Sequence, residues 1–350
     1  MSAEATLLII NYRSAALTRN AVRSARQSTA RELAVIIVDN SLDRVEEEQL
    51  AEIDDAEVRV SSQNLGYAAA INSVMNEKIA GVVVVSNPDV EFDDGAIDLL
   101  CDAVESGAAA AGPRFYWDSG RNWLLPPPET MSFPQQLVTN LAGPSLFHRF
   151  VDRVRLRKRL RFWQLRRPTP VAALSGAVLA LDPTVYRALG GMDPAFTLYF
   201  EEVDFARRAL KAGFELVHVP AASCRHIYDQ SAAKEPMAAE WFEGSRRIFN
   251  EKWYGKLGAK ALNLKLASSR TESLPFDVFS EGPVAGRVVI ELSAEPTFRM
   301  SAGSFPADGR IEVPWESLES SQFEEIWFRA VELDELKVLW TTRMDRGDMW

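Results

Sequence analysis

The sequence has very few cysteines. Its 350 residues include two, Cys101 and Cys224, and neither belongs to a Cys-x-x-Cys pair or a zinc-type spacing. We therefore expect reduced thiols in a cytosolic protein and exclude a disulfide-built fold. Long hydrophobic runs are also missing. The sequence has no stretch of about 18 apolar residues, so it predicts no transmembrane helix. The apolar run near the N-terminus is too short for a signal peptide.

An excess of positive charge is missing too. The formal net charge is −10 and the pI is about 5.1, so the chain is a poor general binder of nucleic acid and we expect no such partner. Any anionic ligand must therefore meet a local basic patch. Hydrophobic residues make up 47% of the chain, which is enough for a sizeable core.

The first part of the chain alternates short apolar runs with helical patterns. Such alternation predicts a mostly parallel sheet with right-handed crossovers and flanking helices. The predicted strands are Thr6–Ile10, Leu33–Val38, Val58–Val60 and Gly81–Val85, and the predicted helices cover about 15–29, 45–53 and 68–78. Further on, 171–181 and 214–219 are predicted strands, and Glu201 opens a helix that runs to about Lys211.

Polar residues follow each of these first strands. They are Asn11, Asp39, the turn at Asn64 and Asp89. Because ligands of parallel α/β sheets bind beyond the carboxyl ends of the strands, the four positions predict one convergent site. Each position alone is also explained by a turn former that ends a strand, but four together favour a binding site.

A basic segment interrupts the pattern between residues 149 and 167. It mixes arginines and a lysine with aromatic and aliphatic residues, which is typical of a helix on an anionic membrane surface. A solvated basic loop is the alternative, because the helical spacing of the apolar residues is kept for only two turns.

The last part of the chain has a different pattern. Val288–Leu292, Arg310–Val313, Ile326–Val331 and Leu336–Thr342 are predicted strands, and Asp308-Gly309 is a hairpin signal. We predict an α/β domain at 1–268 with an insert at about 120–168, followed by a small β-rich appendage at 272–350 of unknown role.

Together, these motifs resemble the family 2 inverting glycosyltransferases of GT-A fold, and within them the rhamnosyltransferase-like branch. The resemblance covers roughly residues 4–265, and the order and spacing of the motifs carry it. They are Leu8-Ile9-Ile10-Asn11-Tyr12, Val38-Asp39-Asn40-Ser41, Asn64-Leu65-Gly66-Tyr67 to Asn72, Ser86-Asn87-Pro88-Asp89, Ser175-Gly176-Ala177, Gly190-Gly191-Met192-Asp193, Tyr199-Phe200-Glu201-Glu202-Val203-Asp204-Phe205, and His226 with Ser231.

The resemblance implies a nucleotide-sugar site. The loop after the first strand approaches base and ribose, the carboxylate of Asp39 can accept a hydrogen bond from N3–H of uracil or thymine, and Gly66 allows a close backbone approach beside a helix N-terminus that attracts phosphate. Ser175 and Gly176 form a floor under the sugar. The residues expected to bind the donor are Asn11, Tyr12, Arg13, Asp39, Asn64, Gly66, Tyr67, Asn72, Asn87, Ser175 and Gly176.

A divalent cation, Mg²⁺ or Mn²⁺, is the expected cofactor, because it can stabilise a departing diphosphate. Asp89 is the expected carboxylate ligand, and similar enzymes place a metal-binding histidine where His226 stands. The family's metal motif is often Asp-x-Asp, whereas this chain has Asn87-Pro88-Asp89, so one carboxylate is missing.

Sugar transfer with inversion needs one general base that takes the proton of the acceptor hydroxyl. Glu202 matches the position of the family's base, with Glu201 and Asp204 as adjacent candidates. Relatives commonly show Glu-Asp where this chain has Glu201-Glu202. Clustered carboxylates raise one another's pKa, which suits a base near neutral pH.

The expected function is therefore transfer of a sugar from a dTDP- or UDP-linked donor, by resemblance dTDP-L-rhamnose, to a surface-glycan or polyprenyl-diphosphate-linked acceptor. We expect a cytoplasmic protein, peripheral on the membrane face through 149–167. The alternatives are a catalytically degenerate glycan-binding or scaffolding module and a sugar nucleotidyltransferase. A dinucleotide-dependent oxidoreductase is disfavoured because Gly-x-Gly-x-x-Gly is absent after the first strand.

Overall fold

The computed structural model describes residues 4–79, 81–141, 146–227, 237–263, 287–307, 311–321 and 323–345. The strands are β1 (Ala5–Asn11), β2 (Leu33–Asp39), β3 (Ala56–Val60), β4 (Val82–Ser86), β5 (Val90–Phe92), β6 (Ala110–Tyr116), β7 (Thr169–Pro170), β8 (Val178–Leu181), β9 (Leu216–His226), β10 (Val288–Ser293), β11 (Ala302–Ser304), β12 (Glu325–Glu332) and β13 (Lys337–Asp345). The helices are α1 (Ala15–Gln27), α2 (Arg44–Ala51), α3 (Gly66–Met75), α4 (Ala96–Glu105), α5 (Phe133–Leu141), α6 (Leu146–Trp163), α7 (Pro183–Ala188), α8 (Glu201–Lys211), α9 (Ala238–Leu262) and α10 (Trp315–Ser320).

These elements form two compact units. The first contains residues 1–115, 128–131 and 165–259, and the second contains 116–127, 132–164 and 260–350. Helix α6, which carries the basic segment, thus belongs to the same unit as the C-terminal sheet. The sequence analysis assigned this segment to the first domain as an insert.

The first unit is built on one large sheet in the order β3-β2-β1-β4-β8-β6-β9-β5. Strand β1 is parallel to both β2 and β4. Its side chains alternate between two cores: Leu7 and Ile9 pack with α1 and α4, whereas Leu8 and Ile10 pack with α3 and α8. A strand covered by helices on both faces must be apolar throughout, which explains the unbroken run of apolar residues at the centre of β1.

The other half of this sheet is antiparallel. Strand β8 pairs antiparallel with β4 and β6, and β5 and β7 pair antiparallel with β9. The predicted α/β class, with a parallel sheet flanked by helices and a separate C-terminal β-sheet, is confirmed. Strands β5 and β6 and helix α4 were not predicted.

Two predicted strands differ in extent. The segment 171–181 forms a strand only from Val178, so Ser175 and Gly176 lie in the loop before it. The strand predicted at 214–219 runs on as β9 and ends at His226. Both differences bring polar residues to one edge of the sheet.

The second unit contains an antiparallel sheet in the order β11-β10-β12-β13. One face packs Trp123 with Ile290 and Phe328, and the other packs Leu160 and Trp163 of α6. The predicted strand at 310–313 is wrong over residues 311–313, which have no strand pairing. The carbonyl of Glu312 instead accepts a hydrogen bond from the Trp123 indole at 2.7 Å. The predicted hairpin at 308–309 lies outside the described residues.

A buried ionic network fastens α6 to this sheet. Glu291 is fully buried and accepts from the Nε atoms of Arg159 and Arg329, each at 2.7 Å. Arg329 also binds both oxygens of Asp152 on α6, at 2.7 and 3.0 Å. The network fixes the rotation of α6 on the sheet. It leaves no net buried charge, because the two arginines balance Glu291 and Asp152.

We expect the substitution Glu291→Gln to lower the free energy of unfolding by about 3–5 kcal/mol, because it leaves the two buried guanidinium groups of Arg159 and Arg329 with a single carboxylate, that of Asp152, as counter-charge. Asp334→Asn is the control: Asp334 pairs with Arg287 at 3.5 Å, but both side chains are more than 70% exposed, so the expected loss is below about 1 kcal/mol. Equal urea midpoints for the two variants would contradict a structural role of the network.

Candidate active site

The ends of β1 and β2 are tied together by side chains. Asn11 and Asp39 are register partners, and the Asn11 amide donates to Asp39 Oδ1 and to Glu46 Oε2, each at 3.0 Å. Ser41 donates to both Asp39 oxygens, through its backbone N at 3.0 Å and its hydroxyl at 2.8 Å. Asp39 is fully buried. In this conformation it holds the loop after β2.

The loop after β1 is the accessible part of this edge. Arg13 is exposed, has a left-handed backbone with φ of 52°, and places its guanidinium 5.4 Å from the centre of the half-buried Tyr12 ring. A planar cation next to an aromatic face offers a stacking surface for a nucleobase and a charge for phosphate. These two residues are therefore donor candidates that remain accessible at this edge.

The N-terminus of α3 is occupied by protein groups. Asn64 Oδ1 accepts from Gly66 N at 2.9 Å, and the Thr197 carbonyl accepts from Tyr67 N at 3.2 Å. A side chain on Gly66 would lie 2.7 Å from the Thr197 oxygen, so glycine is required for the approach of this loop. Two of the N–H groups at this helix end are therefore bound by protein acceptors, and the phosphate site here stays a prediction.

Asn72 also has a structural role. Its amide donates to the Met192 carbonyl at 2.7 Å, and its oxygen accepts from the Tyr186 hydroxyl at 2.6 Å and from Met192 N at 3.1 Å. It pins α3 to the Gly190–Met192 turn. Sequence analysis assigned it to the donor, whereas the structure uses both ends of its amide within the protein.

Asp89 and His226 are brought together by strand pairing. Val90 of β5 is the register partner of His226, the last residue of β9, and the Asp89 Oδ1 and His226 Nε2 atoms are 3.3 Å apart. Both side chains are mostly buried. Neighbouring ligands of one octahedral Mg²⁺ lie about 3 Å apart, from bonds of roughly 2.0–2.1 Å. This oxygen–nitrogen pair therefore fits a divalent cation.

The pair is a partial metal site. In the described part of the chain, no group of three or more His, Cys, Asp or Glu side chains is arranged to hold an ion. A cation bound by one or two carboxylates and completed by substrate phosphates is the usual mode for Mg²⁺. Asn87 anchors this turn, because its backbone N donates to the Ala177 carbonyl at 2.8 Å.

Helix α8 begins with two buried carboxylates. One oxygen of Glu201 and one of Glu202 are buried with no hydrogen-bond partner among the described residues. Burial raises the pKa of both groups, and for Glu201 the nearby charge of Glu202 raises it further. Glu201 is 4% exposed, whereas Glu202 is less buried and lies over the backbone of Gly176. Glu202 is thus the carboxylate that opens towards the site.

Tyr67 connects these carboxylates with the metal pair. Its hydroxyl donates to the Gly176 carbonyl at 2.9 Å. Its pKa is raised well above the ordinary value, first by burial and then by the charges of Glu201, Glu202 and Asp89. The phenol is therefore close enough to these three carboxylates for their charges to act on it, which brings Asp89 and the start of α8 near one another.

Asp204 is fully buried and saturated. Its Oδ1 accepts from Lys252 Nζ at 2.8 Å and Trp253 Nε1 at 2.9 Å, and its Oδ2 accepts from Arg208 Nε at 2.8 Å. Arg208 also donates to the carbonyls of Leu189 and Gly191. Because both oxygens of Asp204 already accept hydrogen bonds, this residue is disfavoured as the alternative general base. Its contacts anchor α8 instead.

The backbone before α8 has two consecutive left-handed residues that the sequence did not reveal. Tyr199 and Phe200 have φ of 68° and 72°, a conformation that costs roughly 1–3 kcal/mol per non-glycine residue. Phe200 is buried against Phe249 and Phe242, so aromatic packing supports the turn. Neither residue is a glycine or asparagine, the types that usually adopt this conformation, so no local sequence pattern could have predicted the left-handed turn.

Comparisons with known proteins show which family and which solved structures the chain is similar to. A model of the family described as glycosyl transferase family 2 matches residues 6–174. This match covers just under half of the chain. The resemblance found in the sequence is confirmed, and so is the assignment as a glycosyltransferase. Since the match ends at 174, it does not include Glu201 and Glu202, whose assignment depends on geometry and on motif position.

Two curated relatives come from Mycobacterium tuberculosis, strains CDC 1551 / Oshkosh and ATCC 25618 / H37Rv. Both are named N-acetylglucosaminyl-diphospho-decaprenol L-rhamnosyltransferase, and each is 28% identical over 228 residues, which is 60% of this chain and 71% of the relative.

Among solved structures, GalNAc-T7 with UDP, GalNAc and Mn²⁺ has a TM-score of 0.48 at 15% identity. The match covers 73% of this chain but 51% of that one, so it spans about half the length of the neighbour. A mannosyltransferase, PcManGT from Pyrobaculum calidifontis with GDP-Man and Mn²⁺, has a TM-score of 0.42 at 14% identity and covers 75% of this chain and 74% of that one.

We expect Gly66→Ala to disturb the site more than Gly95→Ala. Both glycines have nearly the same left-handed φ, 72° and 73°, but a side chain at Gly95 meets no atom within 4 Å. Gly95→Ala should therefore cost only the backbone penalty of about 1–2 kcal/mol. Gly66→Ala should cost about 1–3 kcal/mol more from overlap with Thr197, and should also lower transferase activity.

Urea unfolding and initial rates measure the two effects. Equal stability losses with equal activity would show that the close approach at Thr197 does not shape the site.

Proposed function

We propose that the protein transfers a sugar from a nucleotide sugar to an acceptor hydroxyl by a single inverting displacement, with Glu202 as general base. The observation that carries the proposal is the buried carboxylate pair at the start of α8, in which one oxygen of each group has no hydrogen-bond partner among the described residues and which lies near Asp89 and Tyr67. Leaving charged oxygens unpaired costs stability, and such costs are typical of functional sites.

The chemistry needs one proton acceptor. The acceptor oxygen attacks the anomeric carbon, the bond from that carbon to the diphosphate breaks, and the hydroxyl proton passes to a Glu202 oxygen. A raised pKa suits this task because a base works best when its pKa lies near the working pH. Glu201, more deeply buried beside Glu202, is the carboxyl that stays protonated.

Asp89 and His226 are the residues that would hold a divalent cation. When bound, such an ion stabilises the negative charge that develops on the departing diphosphate. The donor set of one carboxylate and one imidazole agrees with Mg²⁺ or Mn²⁺ completed by phosphate oxygens. The exposed Arg13 and the ring of Tyr12 would receive the nucleotide at the neighbouring strand end. Ser175 and Gly176 lie beneath the Glu202 side of the site.

The relatives' name indicates the substrate classes. That name describes the transfer of an L-rhamnosyl group to a lipid-linked N-acetylglucosaminyl diphosphate, and the match covers 71% of the relatives' length. We therefore propose dTDP-L-rhamnose as the donor and a polyprenyl-diphosphate-linked saccharide as the acceptor. UDP-sugars are the alternative donors against which dTDP-L-rhamnose is compared. Such an acceptor places the reaction at the cytoplasmic membrane face, in the synthesis of a cell-envelope glycan.

We expect Glu202→Gln to reduce the transfer rate by about 10²–10⁴-fold while donor affinity stays unchanged, since only proton acceptance is lost. Glu201→Gln is the matched control: an amide mimics a carboxyl that is already protonated, so its rate should stay within about tenfold of the native rate. Both are measured as dTDP release from dTDP-L-rhamnose with a lipid-linked N-acetylglucosaminyl diphosphate.

The pH profile checks the same assignment. A base must be ionised to act, and burial raises the pKa of Glu202, so kcat/KM should rise with pH through that raised pKa. If Glu201→Gln slowed the transfer and Glu202→Gln did not, Glu201 would be the general base and Glu202 its protonated neighbour. Normal rates in both variants would remove the carboxylate pair from the mechanism.

We expect Mn²⁺ to tighten binding of dTDP in calorimetry, and Asp89→Asn to abolish that gain because the ion loses its carboxylate. Glu52→Gln, a change at a carboxylate that is 70% exposed, is the control and should keep the gain. Metal-dependent binding that survives Asp89→Asn would rule out this metal site. A protein that binds glycans but no nucleoside diphosphate would instead be a degenerate, glycan-binding member of the family.

A further inference from the structure

Helix α6 of the second unit has an exposed face that the transferase site does not use. Phe150, Val154 and Lys158 follow one another at four-residue steps, so they lie on one side of the helix. The first two are large apolar side chains, 63% and 47% exposed. Arginines at helical spacing complete this face, namely Arg153, Arg157 and Arg161, all of them exposed.

The opposite side of α6 is fixed to the protein. Leu156, Leu160 and Trp163 are buried against the C-terminal sheet. Arg159 and Asp152 join the buried ionic network around Glu291. Because these contacts set the rotation of the helix, the basic face is a permanent feature of the fold.

Among the described residues, three cations of this face, those of Arg157, Lys158 and Arg161, have no counter-charge. Asp152 is the acidic residue of α6, and it is bound to Arg329. Arg153 donates to the backbone carbonyl of Glu335 at 2.8 Å. In the described part of the chain, no carboxylate lies at ion-pair distance from Arg157, Lys158 or Arg161. A local positive surface in a chain of net charge −10 is the patch that an anionic partner requires.

A shallow cavity of about 400 Å³ continues the face. Arg157 and Arg161 line it from α6, Gln164 lines it from the residue after the helix, and Arg287 lines it from the residue before β10. Asp334 also borders the cavity and lies 3.5 Å from Arg287. Guanidinium groups that converge on one cavity suit a phosphate, because their N–H donors match its oxygens.

We propose that this face docks the protein on an anionic lipid bilayer, with the basic side chains at the headgroup phosphates and Phe150 and Val154 at the edge of the acyl region. Exposed apolar side chains within a basic helical face distinguish a bilayer from other polyanions, which offer them no apolar phase. Among the described residues, no helix is long and apolar enough to cross a membrane.

Docking would keep the protein at the surface where a lipid-linked acceptor resides. The proposal stands on the charge and exposure of α6 alone, so it does not depend on the proposed sugar transfer.

The test is co-sedimentation of the full chain with phosphatidylcholine vesicles, with and without phosphatidylglycerol. We expect binding only to the anionic vesicles, and weaker binding as salt rises. The variant Arg157→Gln, Lys158→Gln, Arg161→Gln should bind about 100-fold more weakly, since each basic residue near the surface contributes roughly a factor of five. Its matched control is Arg23→Gln, Arg44→Gln, Lys78→Gln, exposed positions of the first unit, which should bind like the native protein.

A second variant separates a bilayer from other polyanions. Phe150→Ser should weaken vesicle binding by about tenfold and leave retention on heparin unchanged. No preference for anionic vesicles, or equal losses in the two triple variants, would overturn the proposal. Heparin retention that depends on the three basic residues without any vesicle binding would also overturn it and point to another polyanion. Unchanged circular dichroism and unfolding midpoints show that the exposed substitutions leave the fold intact.

Discussion

The burial of two adjacent carboxylates at the start of α8 is the constraint on which the site depends. Glu201 and Glu202 each have a buried oxygen without a partner, and the two left-handed residues before them add backbone strain. Something must hold this costly arrangement in place. Asp204, three residues after Glu201, does so through its contacts with Lys252, Trp253 and Arg208. A carboxylate with both oxygens bound thus anchors the start of a helix whose other two carboxylates each have an oxygen without a partner.

Many polar residues of the site hold it together instead of contacting substrate. Asp39 and Asn72 use their side-chain atoms on protein partners, and Gly66 admits the Thr197 carbonyl. They fix the loops that carry Arg13, Glu202 and the Asp89–His226 pair, the residues that we propose perform the chemistry. A motif residue can thus be essential for the site without contacting the donor.

The sequence could predict the strands and helices that have strong local patterns. The apolar runs of β1 and β4 and the acidic start of α8 were found because each signal lies within a few residues. The roles of Asn72, Tyr67 and Asp204 could not be predicted, because their partners lie far along the chain: Met192 is 120 residues from Asn72, and Gly176 is 109 residues from Tyr67. The pairing of Asp89 with His226 likewise required the antiparallel register of β5 and β9.

The anomeric configuration of the product tests the central claim most directly. One base and one displacement reverse the configuration at the anomeric carbon, because the hydroxyl attacks opposite the departing diphosphate. NMR of the product formed from a donor of known configuration measures this. The account predicts inversion. Retention would require a second displacement or a different mechanism, and would contradict the assignment of Glu202 as the base of a single-step transfer.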